Sequence, residues 1–482
     1  MKIFSLGTKI QVIGTCLLLV ALTLTSVFAV TRTISDTGDT VDTYIRNSKG
    51  NYWAATGANI QTAIWDLNST SGGTVWLPVG TINHTSSISM ENNVHLMGAG
   101  MYKTILRFTD GASTSLALIR AKIKNNFNIS DLTIDGNDDG ATCSNGVQLD
   151  GVKYFTVQNV YIHDTDGNGL WIGGEAPTYT QCKNGLVDNV HATNVDAIAL
   201  ECFAFNNISD TIFSNLHSSG GTAAYQIDFH AIRNSTINNI YCSDGGGMKI
   251  YGLGAYWCED SVYNNIVISN LVQPTDAALW VYQTRRTSIS NVQVIADYAG
   301  ITIDTSNNIN LNNVGSLSGT SSGLHLHDSN YINVDNAIVR SAVQGFRVDT
   351  CNNVTVSNMQ ISLSTLYNYL YNSKDVVISN SFFNKGASYG LDIDACARFR
   401  IIGCSFWSNT EDGITTELGT CNNYTISNCY FKGNDKALDL HASDNWFIVS
   451  GCIAPSGDNI DVNAALTYYR KVNDTICTLV TS

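Results

Sequence analysis

A short alternation of apolar and polar residues returns over most of this chain. One full unit runs from Thr222 to Ile240: Tyr225, Ile227 and Phe229 alternate with Gln226, Asp228 and His230, the chain turns, and the unit closes on Thr236-Ile-Asn-Asn239. The same close returns at Thr156–Asn159, Ser288–Asn291, Asn310–Asn313, Thr355–Asn358, Val377–Asn380 and Thr425–Asn428, on a repeat of 22 to 26 residues. A fixed period of that size means stacked units, none of which can bury its apolar side alone. One strand per unit is easy to follow: Val147–Asp150, Leu170–Gly173, Ile198–Glu201, Tyr225–Asp228, Met248–Tyr251, Leu279–Tyr282 and Ile301–Asp304. The series continues through Leu324–His327, Phe346–Asp349, Asn368–Tyr371, Leu391–Asp394, Ile414–Glu417 and Leu438–His441. Alternate residues of a strand share a face, so the first and third of each tetrad are expected inside and the second and fourth outside. In that register Tyr225 points in and Gln226 points out. The recurrent asparagine is expected at a turn, bonding backbone groups and stacking on the next asparagine.

Outside the repeats, Ala58–Leu67 carries the one convincing helical pattern, with Ile60, Ala63, Ile64 and Leu67 on one face. Lys2 and Lys9 precede an apolar run from Ile10 to Phe28, and Val27-Phe-Ala29 offers a cleavage site. That reads as an export signal, or, uncleaved, as a membrane anchor. The expected organisation is a signal or anchor at 1–29, a lead-in, cap and first coils at 30–118, the repeat body at 119–463 and a tail at 464–482. Residues 30 to about 57 are polar and without pattern, and the tail has none that is clear.

Composition narrows the class. Charged residues make up 14%, with 40 glycines and 4 prolines, which suits short strands joined by tight turns. The net charge of −14 argues against nucleic acid as a partner. Cys16 lies in the apolar run; no cysteine has CxxC zinc spacing. Aligning the repeats sets Cys396 beside Cys421, and Cys404 beside Cys429 and then Cys452, as disulfides in an oxidising compartment or as buried thiols. Sequons at Asn68, Asn83, Asn128, Asn207, Asn234, Asn353, Asn423 and Asn473 would carry glycans in a glycosylating host.

Candidate chemistry gathers on the outward positions of the central tetrads: Glu201, Gln226, Asp228, His230, Lys249, Tyr251, Trp280, Tyr282, Thr302, Asp304, His325, His327, Arg347 and Asp349. Aromatic faces stack on sugar rings while polar groups fix orientation. Arg233, Lys249, Arg285, Arg286, His325, His327 and Arg347 are expected on or just beyond these strands. They form a local positive strip that would attract a polyanion, or else balance the stripe's own carboxylates. Abstracting a proton next to a uronate carboxylate needs a neutralising cation, for which Arg347, Lys249 and Arg233 are candidates, and a base of near-neutral pKa, for which His230 is suited. Glu201 and Asp228, one unit apart, are expected to share a proton.

Three resemblances follow from these residues. The order of a short helix, Gly72-Gly-Thr-Val-Trp-Leu-Pro78 and Val94-His-Leu-Met-Gly-Ala-Gly100 resembles the entry segment of the pectate lyase superfamily. That implies an all-β, right-handed parallel β-helix with a short N-terminal capping helix. Tyr225-Gln-Ile-Asp-Phe-His230 is similar to the Tyr-Gly-Phe-Asp-Pro-His motif of mannuronan C-5 epimerases, with Phe229 for the proline and Ala231 for the glutamate that follows. It implies that His230 and Tyr225 serve as acid and base with Asp228 beside them; Tyr251 or Tyr282 would substitute if Tyr225 faces inward. Asp164-Thr-Asp-Gly167, Val195-Asp-Ala197, Asp228-Phe-His230 and Met248-Lys-Ile250 resemble polygalacturonase coils, with Ala197 and Met248 departing from the pattern. A hydrolase needs two carboxylates, and Asp166 with Asp196 or Asp304 with Asp349 would supply them.

Asp164, Asp166, Asn168 and Glu175 also match a calcium-loop pattern, though both flanks read as strand where an EF-hand has helices. Ca²⁺ is thus a candidate cofactor there or as a bridge to substrate. The expectation is a secreted or cell-surface protein acting on an extracellular acidic polysaccharide by β-elimination or C5 epimerisation. The alternatives are a polygalacturonase-like hydrolase and a noncatalytic glycan-binding protein. A monomer or homotrimer is expected, with membrane association only if residues 1–29 are retained.

Overall fold

The computed structural model describes residues 44–480 apart from 69–70, 115–116, 174–179, 196–201, 221–224, 253–255, 272–276, 297–299, 319–320, 341, 417–418, 442–443, 455–458, 463–468 and 473–478. The candidate export segment, Cys16 and Cys477 lie outside the described residues. No helix among the described residues is long and apolar enough to cross a membrane.

The repeats wind into a right-handed parallel β-helix. A front sheet is built from the short tetrad strands. Leu279–Tyr282 pairs in parallel with Gly247–Tyr251 on one side and Ile301–Asp304 on the other, and the pattern repeats along the stack. The longer strands of the back sheet, such as Lys153–Thr165 and Thr284–Ala296, bend at the recurrent asparagine. Asn159, Asn291 and Asn313 have φ of 54°, 53° and 53°, a left-handed corner that asparagine tolerates better than other side chains. Their side chains form a ladder: Asn189 donates to Asn159 at 2.8 Å, Asn239 to Asn215 at 3.0 Å and Asn313 to Asn291 at 2.7 Å. The amide dipoles thus bond along the stack, side chain to side chain.

The core is the apolar half of each alternation. Phe229 lies 5.1 Å from Phe205 and 5.4 Å from Phe213 by ring centroid, and all three are fully buried. Burying each ring contributes roughly 1.5–3 kcal/mol, which pins the strand that carries Asp228 and His230. Cys396, Cys404, Cys421 and Cys429, with Cys182, Cys242, Cys258 and Cys351, are buried free thiols, and Cys202 and Cys452 are buried as well.

Helix Gly57–Asn68 buries Ile60, Ala63, Ile64 and Leu67 against the first coils. It covers what would otherwise be an open apolar end with unpaired strand edges. Within the stretch read as a patternless lead-in, Tyr44–Asn47 and Tyr52–Ala54 form an antiparallel pair. Past residue 463, Tyr469–Val472 and Leu479–Val480 still join the parallel ladders, so pairing continues where the sequence shows no pattern. Register there is carried by neighbouring coils, not by local alternation.

Candidate functional site

Two rows of side chains leave the front sheet for solvent. The first row runs Ala204, Asp228, Lys249, Trp280, Thr302, His325, Arg347, Tyr369; the second runs Asn206, His230, Tyr251, Tyr282, Asp304, His327, Asp349, Tyr371. Twelve of the predicted site residues share this face: Asp228, His230, Lys249, Tyr251, Trp280, Tyr282, Asp304, His325, His327, Arg347, Asp349 and, through a local irregularity, Tyr225.

The register departs from expectation at its centre. Tyr225 pairs with Gly247, but Ile227 pairs with Met248, so Gln226 is an extra residue in a β-bulge. The bulge reverses the parity of what precedes it. Gln226 is fully buried, where it accepts hydrogen bonds from Ser218 Oγ (3.2 Å) and Cys242 Sγ (3.0 Å) and donates to the Gly220 carbonyl. Tyr225 turns outward instead, and its ring stacks 6.1 Å from Trp280. The expectation of an inward Tyr225 and an outward Gln226 is therefore corrected. Gly245 permits this arrangement, because a Cβ there would meet Gln226 Nε2 at 2.0 Å.

Lys249 stands in an aromatic cage, its Nζ 4.1 Å from the Tyr251 ring centroid, 5.3 Å from Trp280 and 5.6 Å from Tyr225. Among the described residues it makes no salt bridge, so cation–π contacts hold its charge in place and leave it available. Asp228 precedes it in the row. Burial pushes the Asp228 carboxyl up to about 6, against the opposing pull of Lys249. Burial lowers the His230 imidazole, and Lys249 lowers it further, so the ring is neutral at neutral pH. Burial, Tyr282 and Asp228 raise the Tyr251 phenol. Asp228 Oδ1 and His230 Nε2 are buried atoms with no hydrogen-bond partner among the described residues. Such atoms are costly unless something else completes them, and here both belong to one centre.

Three other expectations are corrected. The front-strand slot before Tyr225 is filled by Phe203–Asn206, not by Ile198–Glu201, so Ala204 is the partner of Asp228. Glu201, with Asp196 and Ala197, lies outside the described residues. Arg233 falls past the corner, on the ladder with Ser209 and Glu259. Its Nε lies 3.6 Å from Glu259, which also takes Arg285 at 2.6 Å and Arg286 at 2.8 Å. These arginines balance local carboxylates and do not extend the front row. The calcium-loop residues do not form a hand: Asp164 ends a strand, its carboxylate bonded to His163 Nδ1 (2.6 Å) and Asn194 (3.3 Å). Asn168 is buried nearby, Asp166 follows Asp164 on the bend, and Glu175 lies outside the described residues.

Asp164, His163 and Asp135 bring ligand atoms within 4.8 Å of one another. Arg107 Nε stands 3.6 Å from Asp135, a poor neighbour for a cation. At the front centre one carboxylate lies between an ammonium and an imidazole, whereas Ca²⁺ takes six to eight oxygens. Neither of these donor sets among the described residues fits calcium.

Farther along the rows, Asp349 is held by His325 Nε2 (3.0 Å) and Arg347 Nε (2.6 Å), and Asp304 accepts from His327 Nδ1 (3.0 Å). Burial pushes Asp349 up, but the His325 bond and the Arg347 charge outweigh it and leave the carboxyl below its ordinary range. It is therefore ionised, unlike the proton-carrying acid of a hydrolase.

Residues 47–294 match the family model described as rhamnogalacturonase A/epimerase, pectate lyase-like, and residues 299–454 match a right-handed β-helix region. The chain is 26% identical over 220 residues to mannuronan C5-epimerase AlgE1 of Azotobacter vinelandii, covering 41% of this chain and 15% of that protein. It is 27% identical over 201 residues to alginate lyase 7 of the same organism, covering 37% of this chain and 20% of the relative. The chain thus spans well under two thirds of the curated relatives it matches. Among solved structures, the Azotobacter vinelandii mannuronan C-5 epimerase AlgE6 A-module is 18% identical with a TM-score of 0.38, over 82% of this chain and 94% of that one.

Proposed function

The chain belongs to the rhamnogalacturonase A/epimerase, pectate lyase-like family, and from that premise we propose that it acts on a uronate polysaccharide by abstracting the C5 proton. The observation that carries this reading is the bulge at Gln226, which sets Tyr225 on the same face as Asp228, His230 and Lys249. The relatives named as C5-epimerases and an alginate lyase support it.

In this mechanism Lys249 meets the substrate carboxylate and stabilises the negative charge that builds on it as the C5–H bond breaks. His230, kept neutral by burial, receives the proton on Nε2. Asp228, still largely protonated below pH 6, donates a hydrogen bond to the same carboxylate. Tyr225 and Tyr251 are the proton donors. If one protonates the departing O4, the C5 electron pair forms a C4=C5 double bond and the chain is cut. If it returns a proton to the opposite face of C5, the sugar is inverted and the chain stays whole. His325, His327, Arg347, Asp304 and Asp349, on the coils beyond Tyr282, would bind neighbouring sugars. Export, through the segment at residues 1–29, would bring the protein to such polymers.

A hydrolase needs a second carboxylate at the centre, and Asp228 has Ala204 and Lys249 as its row neighbours. Incubation with alginate and polygalacturonate in D₂O separates the readings. Ultraviolet absorbance of an unsaturated uronate marks elimination, deuterium at C5 without it marks epimerisation, and new reducing ends without either mark hydrolysis. His230→Ala is expected to abolish turnover and retain binding; undiminished turnover removes His230 from the mechanism.

A further inference from the structure

A second line of rings crosses the back sheet, away from the front rows. Tyr161, His191, His217 and Tyr241 occupy one register position on four successive coils. Tyr102 packs on Tyr161 at 5.4 Å and its hydroxyl lies 3.4 Å from His191 Nδ1. His191 and His217 are 5.2 Å apart, and His217 and Tyr241 4.7 Å, each pair edge to face. His191, His217 and Tyr241 line an open groove of about 480 Å³ together with Leu216 and with Asn189, Asn215 and Asn239 of the corner ladder, and Tyr161 continues the row beyond it. Tyr241 is 40% exposed, although a solvent-facing strand position normally carries a small polar residue.

We propose that this groove binds an uncharged glycan chain lying along the helix axis, at a site separate from the front centre. Three features carry the assignment. The rings recur at the coil spacing of ~4.8 Å, close to the length of one hexose, so successive sugars meet successive rings. A row of asparagine amides runs beside the rings and supplies donors and acceptors for hydroxyls. The charge is wrong for a polyuronate: strands Leu186–Val195, Ile212–Ser219 and Thr236–Ser243 contain no lysine or arginine. Burial lowers both imidazoles, so neither supplies a cation at neutral pH. Of the nearby carboxylates, Asp188 is taken up by Gln158 (3.0 Å), Ser214 (2.7 Å) and Asn215 (2.7 Å), and the charge of Asp244, which acts on His217, is again negative. The front face, with Lys249 and Arg347, has the opposite character.

The test is affinity electrophoresis of the full chain in native gels containing hydroxyethyl cellulose, xyloglucan or galactomannan, with polygalacturonate as the charged control. At least one neutral polymer is expected to retard the protein. Tyr241→Ala and His217→Ala should each weaken that retardation about tenfold with an unchanged melting temperature, while Trp280→Ala on the front face leaves it intact. The proposal is overturned if no neutral polymer retards the chain or if both back-sheet variants behave as wild type. It is also overturned if their loss is confined to polygalacturonate. None of these outcomes depends on whether the front centre turns over uronates.

Discussion

Replacing Lys249 with methionine keeps the stem that packs in the aromatic cage and removes only the charge. In the proposed reaction the ammonium acts on the substrate carboxylate, whose charge grows toward the transition state. At contact distance and an effective dielectric of about 20, two unit charges attract by about 4 kcal/mol. Lys249 is partly exposed, so solvent screening reduces this to about 2–3 kcal/mol, equivalent to a loss of roughly 30- to 150-fold in kcat/KM. The same change has a second signature. Lys249 depresses both Asp228 and His230, so its removal raises both. Asp228 is its neighbour across one strand spacing, about 5 Å, where the Coulomb energy is about 3 kcal/mol before screening and ~1 kcal/mol after it. Because His230 must be neutral to accept a proton, the acid limb of the kcat/KM–pH profile should move to higher pH, by about half to one unit. Initial rates on the active polymer across pH 4–9, for wild type and Lys249→Met side by side, measure both effects. A loss below about threefold, or an acid limb that stays in place or moves down, refutes the assignment of Lys249 as the neutralising cation.

Asp228 links catalysis to stability. Burial raises its folded pKa to about 6, above the ordinary aspartate value of 3.8, so its contribution to stability is fully present below pH 3.8 and is lost as pH rises through 6. Asp228→Asn should therefore stabilise the protein by about 2–3 kcal/mol at pH 8 and leave it unchanged near pH 3.5, while lowering turnover at least 100-fold. Melting curves at the two pH values check the first part, and an equal shift at both would contradict it. Gln226→Leu strands the buried hydroxyl of Ser218 and takes the amide donor from the half-buried carbonyl of Gly220, which should cost about 2–3 kcal/mol. If the bulge is what presents Tyr225, the variant should lose kcat at a temperature where it is still folded; a folded variant with unaltered kcat separates the bulge from catalysis.

Much of the architecture is legible in the sequence. Alternation with period two, the recurrent asparagine and the apolar stripe of helix Gly57–Asn68 are local signals, because strand, corner and helix geometry each impose a short period on burial. Hence the outward placement of His230, Lys249, Tyr251, Trp280 and Arg347, and the asparagine ladder, follow from pattern alone. What pattern could not reveal depends on pairing between coils. Tyr225-Gln-Ile-Asp-Phe-His230 alternates without a break, so nothing local marks Gln226 as the extra residue; only pairing with Gly247 and Met248 does. Likewise the alternation at Ile198–Glu201 reads as the front strand of its coil, and only the ladder shows that Phe203–Asn206 takes that place beside Ile227–His230. Arg233 lies three residues from His230 yet turns a corner toward Glu259, and Tyr161, His191, His217 and Tyr241 became a row only when their coils stacked. Periodicity belongs to the backbone of one chain segment and is written in its own residues. Register is set by hydrogen bonds to a neighbouring coil some two dozen residues away, and one inserted residue reverses every side chain up to the next correction.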